Sequence, residues 1–402
     1  MISKNWSSAF APACATIRLL LGVVAVVATA SPLAAQPKPA IALIDAADAP
    51  QWQAWTREAG WQVISAAAPA NASIDTRVQT LAAAVEAAIA AGTVDRAHVY
   101  IAGRGEASSA VFYAISRVPD LWAAGIAIGG SPKAALDTNR IFAANFALVP
   151  LLWLAGDEAK PMVEKLAAGK LNVEWKPLAA YSNPASVLEW LLKHSREPFP
   201  AAIDCETNSP VFGRCYWIQM TKFDAGERND VLPHSRIAGG TGAALDLGAF
   251  TLKSDDPGPG VLIAALPPKY DGPLKLGDRL QAMDGKPLTD ARVYLALLEK
   301  FTEEKPVTVT VQRGKDRIRV ETRITLPHRE SGVTARVEAQ FLPAERQIQI
   351  VSRTVTELRV TVAEHWVPGA LLWNGLTLES LKEPGCWLLS VDKELIRAVK
   401  CQ

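Results

Sequence analysis

Short apolar segments alternate with longer amphipathic segments in the first half of the chain, from about residue 41 to residue 199. The amphipathic segments 76–91, 107–115 and 186–193 predict helices, because their apolar residues recur at helical spacing. The alternation predicts an α/β domain over residues 36–200, with three layers: a parallel sheet and helices on both of its faces. The apolar segments that we interpret as strands are 40–44, 61–65, 98–102, 125–128, 151–155 and 173–178.

The pattern changes after Pro198 and Pro200, which end the last predicted helix and mark a domain boundary. Beyond them, residues 214–220, 347–351 and 358–362 alternate between apolar and polar side chains, as half-buried strands do. Because a long stretch of chain separates the first of these strands from the others, we predict a split module. It is a small β-sandwich-like module formed by residues 201–243 and 327–402.

The first 35 residues have the composition of a secretory signal peptide. Lys4 and Arg18 precede the apolar run 19–27, and small residues follow it. The run is too short for a transmembrane helix, so we predict no membrane span after cleavage, with an uncleaved anchor as the alternative. The segment therefore predicts a bacterial protein of the periplasm or a secreted one.

Export changes how the cysteines are interpreted, because an oxidising compartment favours disulfides over metal-thiolate sites. Cys205, Cys215, Cys386 and Cys401 remain after the signal segment is removed. Proximity in the sequence favours pairing Cys205 with Cys215 and Cys386 with Cys401, although four cysteines allow three pairings. A zinc site is the competing interpretation, but there is no Cys-x-x-Cys pair. We expect disulfides, no metal and no cofactor.

Residues 98–109 resemble the strand, nucleophile elbow and helix of the α/β hydrolases, and the order of elements over roughly 160 residues is similar to that of small esterases and polyester depolymerases. The elbow of that family reads Gly-x-Ser-x-Gly, with the serine on a strained turn. In this chain Gly103 and Ala107 occupy the flanking positions, and Gly105 occupies the serine position. The resemblance therefore implies a hydrolase-like scaffold with a degenerate elbow.

The other catalytic groups of a hydrolase are also incomplete. Ser108 and Ser109 lie about one turn into the predicted helix, away from the elbow tip. Asp157 is the possible catalytic acid, but the loop 180–184, where the resemblance places the base, has no histidine, and His194 follows only after the next helix begins. We predict a scaffold without hydrolase chemistry. A secreted serine esterase or hydrolase with an unrecognised nucleophile is the alternative.

Residues 244–326 carry a second resemblance, to a PDZ domain of the bacterial type, inserted in the β-sandwich-like module. Its most recognisable part is the run 274–285, which reads Leu-Lys-Leu-Gly-Asp-Arg-Leu-Gln-Ala-Met-Asp-Gly. The resemblance implies a helix over 291–301, closing strands over 307–312 and 317–324, and a groove that binds an extended peptide or a protein C-terminus. The peptide-binding residues that it implies are Leu247, Gly248, Ala249, Phe250, Val293 and Leu297.

Composition narrows the functional classes. The 402 residues give room for more than one domain, and 42 Lys+Arg against 41 Asp+Glu leave no basic excess for nucleic acid. Removing the signal segment changes the formal charge from +1 to −1. We predict an exported, non-catalytic interaction protein that binds a peptide, with binding to a glycan or polyester surface as a further alternative. Its oligomeric state is left open.

Overall fold

The computed structural model describes residues 36–69, 72–237, 239–253, 255–392 and 394–401. The predicted signal segment 1–35 lies outside these residues, and so does Cys14. None of the helices within the described ranges is both long enough and apolar enough to cross a membrane.

The first half of the described chain forms a parallel sheet with helices on both faces, so the α/β prediction is confirmed. The strand order is β2-β1-β3-β4-β5-β6. The strands are β1 (Lys38–Leu43), β2 (Gln62–Ser65), β3 (Val94–Arg104), β4 (Ala124–Ile128), β5 (Leu151–Ala155) and β6 (Val173–Pro177). The helices are α1 (Ala49–Thr56), α2 (Ile74–Ala90), α3 (Ala107–Arg117), α4 (Lys133–Asp137), α5 (Ala143–Ala147), α6 (Lys160–Ala168) and α7 (Pro184–Leu192).

Alternating side chains of the strands supply two separate cores, one on each face of the sheet. In β1, Ala40 and Ala42 contact the core formed by α2, α3 and α6, whereas Ile41 and Leu43 contact the core formed by α1 and α7. All four side chains are at most 2% exposed. Strand β1 is therefore apolar on both faces from Ala40 to Leu43, as parallel strands covered on both faces are.

The second half of the described chain is β-rich. Before the predicted insertion come β7 (Ala202–Thr207), β8 (Arg214–Cys215) and β9 (Ile218–Phe223). The next strands are β10 (Ala244–Leu245), β11 (Thr251–Leu252), β12 (Val261–Ala265), β13 (Arg279–Met283), β14 (Lys286–Pro287), β15 (Lys305–Arg313) and β16 (Asp316–Thr325), with α8 (Ala291–Leu298) between β14 and β15. The chain ends with β17 (Ala335–Leu342), β18 (Gln347–Arg353), β19 (Val355–Val362), β20 (Gly369–Trp373), β21 (Leu376–Leu381), β22 (Gly385–Asp392) and β23 (Leu395–Lys400).

These strands form three sheets. One has the order β10-β16-β15-β13-β12-β11, with β14 beside β13, and α8 packs on its core. The other two have the orders β21-β20-β18-β17-β7 and β23-β22-β19-β9-β8, and they share a core rich in tryptophan. Strands from both sides of residues 244–326 thus meet in the same two sheets. The boundaries of the domains remain a prediction.

Two local predictions are wrong. Residues 214–220 form a hairpin rather than one strand, because Tyr216 adopts a left-handed backbone with φ +52° and Cys215 pairs with Ile218. The helix predicted to reach residue 301 ends at Leu298, where the chain tightens into a turn and the Phe301 amide donates to the Leu298 carbonyl at 3.0 Å.

The cysteines are paired as their proximity in the sequence suggests. Cys205 on β7 is bonded to Cys215 on β8, with the two Cα atoms 6.4 Å apart, and this disulfide joins the edges of the two sheets that share a core. Cys386 on β22 is bonded to Cys401, which follows β23, with Cα atoms 5.3 Å apart. Disulfides of this kind fit a protein that folds in an oxidising compartment.

Candidate functional site

The turn at Gly105 lies at the carboxyl edge of the parallel sheet, between β3 and α3. Its φ of +58° is left-handed, and its amide donates to the Ile128 carbonyl at the end of β4, at 2.8 Å. A Cβ on Gly105 would meet none of the described atoms within 4 Å. Gly103 is buried within β3 and Ala107 begins α3. The turn is therefore sharp and open outward, but it carries no side chain.

The two serines after the turn are not presented to a substrate. Ser108 is fully buried, and its hydroxyl donates to the Gly105 carbonyl at 2.7 Å. The Ser109 hydroxyl is also buried and has no hydrogen-bond partner among the described residues. Neither hydroxyl forms a hydrogen bond with a histidine or a carboxylate of the described residues, so neither has the surroundings of an activated nucleophile.

The possible base and acid lie elsewhere. His194 lines a pocket together with Ala123 and Pro150, the residues that come just before β4 and β5, so it lies at the amino edge of the sheet, opposite Gly105. Its ring contacts Trp190 at a centroid distance of 4.3 Å. Asp157 does follow β5 at the carboxyl edge, but its side chain is 80% exposed and pairs with Lys160 at 3.0 Å. The structure does not bring a base and an acid together at the Gly105 turn.

A polar cluster at this edge was missed by sequence reasoning. The Tyr181 hydroxyl donates to Gln51 Oε1 at 3.1 Å, and the Arg104 guanidinium lies 5.8 Å from the Tyr181 ring centroid. Burial raises the pKa of Tyr181 to about 12, with Asp48 adding to the rise and Arg104 opposing it. Burial also raises the pKa of Asp48, while Arg104 lowers it. Tyr181 therefore stays protonated at neutral pH and acts as a hydrogen-bond donor.

The signal for this cluster was its position in the sequence, since Asp48, Arg104 and Tyr181 each come at or just after the carboxyl end of a strand. Ligands of open α/β sheets bind at that edge. The sequence shows these positions, but residues far apart in the chain cannot be paired from the sequence alone.

The loop before β11 has three backbone donors that are free. The amides of Gly248, Ala249 and Phe250 donate to none of the residues that the structure describes. Leu247 is only 2% exposed, so it belongs to the core rather than to a groove wall, and its carbonyl accepts a hydrogen bond from the Tyr270 hydroxyl. Phe250 is half-buried against the same core. The loop is thus anchored at one end and presents consecutive N–H groups.

Strand β11 and helix α8 flank this loop. Within the described chain β11 is the last strand of its sheet and pairs only with β12, so its outer edge is open. Val293 and Leu297, one helical turn apart on α8, are 38% and 9% exposed. Asp290 caps the helix by accepting the amides of Arg292 and Val293 at 2.8 and 3.0 Å.

Asp278, in the run 274–285, has a structural role. Its carboxylate accepts the Lys275 amide at 2.8 Å and both Nε and an Nη of Arg313, at 2.9 and 2.7 Å. Burial alone would raise the pKa of Asp278, but these hydrogen bonds outweigh it and hold that pKa below its ordinary value. The aspartate therefore fixes the turn that leads into β13.

Among the described residues, no group of three His, Cys, Asp or Glu side chains is arranged to hold a metal ion.

Comparison with known proteins gives structural neighbours only. No family model matches the chain, and no curated protein matches it. A thermostable esterase is similar at 17% identity and a TM-score of 0.32, over 40% of this chain and 56% of the esterase. Thermogutta terrifontis esterase 2 phosphorylated by paraoxon is similar at 14% identity and a TM-score of 0.31, over 40% of this chain and 84% of that esterase. Esterase Est22 is similar at 11% identity and a TM-score of 0.31, over 40% of this chain and 72% of Est22. At TM-scores this low, the likeness carries no inference about activity.

Proposed function

We propose that this chain is an exported, non-catalytic protein that binds the C-terminus of a peptide or protein in the manner of a PDZ domain. The observation that carries the proposal is the set of free amides at Gly248, Ala249 and Phe250. Three consecutive N–H groups beside an open strand edge are suited to a terminal carboxylate. The two disulfides support the exported location.

The peptide would bind as an added strand. Its backbone would pair with the open edge of β11, and its carboxylate would accept the loop amides. Its last side chain would contact Phe250, Val293 and Leu297, which are apolar, so we expect an apolar C-terminal residue. Affinity in this mode comes from main-chain hydrogen bonds, and specificity comes from the pocket.

The α/β part would serve as a scaffold of hydrolase-like shape. Gly105 has no side chain that could attack an ester. No histidine lies between β1, β3, β4 or β5 and the next strand in the chain, or in the loop 178–183 between β6 and α7. The chain would therefore lack both the nucleophile and the base of acyl transfer.

We predict that Val293→Asp weakens binding of apolar C-terminal peptides at least about tenfold, because it places a carboxylate in the pocket beside the carboxylate of the ligand. Enrichment from an immobilised library of peptides with free C-termini selects the probe peptide, and fluorescence anisotropy measures its affinity for each variant. Val293 is 38% exposed, so the variant should fold.

Leu295→Asp is the matched control, because Leu295 is 49% exposed on the other side of α8. The control should bind as the native chain does, and an amidated copy of the probe peptide should bind weakly. Equal affinity of the Val293→Asp and Leu295→Asp variants would contradict the proposal, and so would equal affinity of free and amidated peptides.

We also predict that a fluorophosphonate probe forms no covalent adduct with the native chain, and that Gly105→Ser does not create ester hydrolysis. The variant supplies a hydroxyl at the open turn but no base to accept its proton. Mass spectrometry of the probe-treated protein, with a known serine hydrolase treated in parallel, measures the outcome. An adduct on any serine of the native chain would instead favour the esterase alternative.

A further inference from the structure

A cavity of about 460 Å³ lies between the α/β part and the helix of the proposed peptide-binding part. Its walls come from α4, from α6, from the chain around Ile237 and from Glu299, which follows α8. Pockets of this size, at the junction of two parts of a protein, are the usual binding places for small molecules.

The walls of the cavity are mostly apolar. Leu136 on α4 and Leu166 on α6 face it, and these side chains are 3% and 4% exposed. Ala143, Met162, Leu171 and Ile237 also line the cavity and pack in the core on that face of the sheet. This apolar part of the wall favours an apolar portion of a ligand.

Charged groups line the rest of the cavity, and all but one are engaged. Lys133 Nζ lies 2.6 Å from Asp137 Oδ2 and 3.7 Å from Glu299 Oε1. Glu299 also accepts the Thr241 amide at 2.8 Å. The Lys165 ammonium, by contrast, forms no ion pair or hydrogen bond with any residue in the described part of the chain.

We propose that this cavity binds an aliphatic carboxylate, with its chain against Leu136 and Leu166 and its carboxylate against Lys165. The unpaired ammonium selects a negative headgroup, because Lys165 is the one charged group of the lining that has no ionic partner among the described residues, whereas Lys133 lies between Asp137 and Glu299. A hydrocarbon tail matches the walls, which offer no polar side chain beyond these four charged ones. The site is separate from the peptide groove and does not depend on the proposed function.

Isothermal titration calorimetry of the full chain with sodium decanoate, below its micelle concentration, tests the proposal. We expect saturable binding of one decanoate per chain. Lys165→Met should weaken it about fivefold, the loss of one partly exposed charge pair. Ala143→Met, which fills part of the cavity without changing charge, should also weaken decanoate binding.

Lys170→Met is the control, because Lys170 is an exposed lysine close by that does not line the cavity. This variant should bind decanoate as the native chain does.

Further measurements distinguish this cavity from the proposed peptide groove, which would also bind a carboxylate. Val293→Asp should leave decanoate binding unchanged. A loss of binding in Val293→Asp but not in Lys165→Met would place decanoate in the peptide groove and overturn the proposal. Equal binding of decylammonium would overturn the assigned headgroup, and the absence of saturable heat would overturn the site.

Discussion

Glu206→Gln should lower the free energy of unfolding by about 3–5 kcal/mol, the usual cost of breaking a buried ion pair by changing one partner. Glu206 on β7 is 0% exposed and lies 3.2 Å from Arg353. Its carboxylate also accepts the Thr334 hydroxyl and the Ser235 amide. Since all three partners are donors, the side-chain NH₂ of glutamine would face at least one of them. Urea denaturation followed by circular dichroism measures the change.

Glu338→Gln is the matched control for this experiment. Glu338 lies on β17, the strand paired with β7, and its side chain is 50% exposed. Its partner Arg336 keeps a two-pronged contact with Asp204, so the control should change stability by less than about 0.5 kcal/mol. Equal stability losses in the two variants would show that the Glu206 network does not stabilise the fold.

The Glu206 network is one of several buried polar contacts that join the α/β part to the β-rich part. The backbone of Glu206 forms two hydrogen bonds with the Asn145 side chain on α5, at 2.6 and 2.8 Å. Arg117 on α3 is 1% exposed and lies 2.6 Å from Glu330. Asp120 is fully buried and lies 2.6 Å from Arg214 on β8. These contacts need specific partners, so they favour one relative arrangement of the two parts.

Sequence patterns predicted the parallel sheet well, because its central strands β4 and β5 are buried along their whole length and contain no charged residue. Segment 151–155 coincides with β5, Leu151–Ala155. The hairpin at Tyr216 was missed because alternation of side chains does not reveal a left-handed residue. The buried charges were missed because Glu206 and Arg117 look like surface residues until chain segments from elsewhere pack over them.

The candidate site was predictable only where one stretch of chain contains it. The turn at Gly105 and the loop at Gly248 are local, and both stand out in the sequence. The Tyr181 cluster and the cavity beside Lys165 depend on segments that meet only in the folded chain. Their residues carry no motif, so no pattern of spacing could join Lys165 to Leu136 or Tyr181 to Gln51.

Gly130→Ala is expected to lower the free energy of unfolding by about 2–4 kcal/mol, because it combines a left-handed backbone with a clash. Gly130 has a φ of +59°, and a Cβ there would overlap the Ser108 hydroxyl and the Gly105 carbonyl oxygen.

Gly105→Ala is the control: its φ is similar, at +58°, but its Cβ would meet no described atom within 4 Å, so it should cost only about 1–2 kcal/mol. Urea denaturation of both variants separates the two effects. If Gly130→Ala were no more destabilising than Gly105→Ala, the close packing of Gly130 against the turn would not contribute to stability. The expected difference would show instead that Gly130 packs closely against the inner side of the turn at Gly105, whereas the outer side of the turn is open.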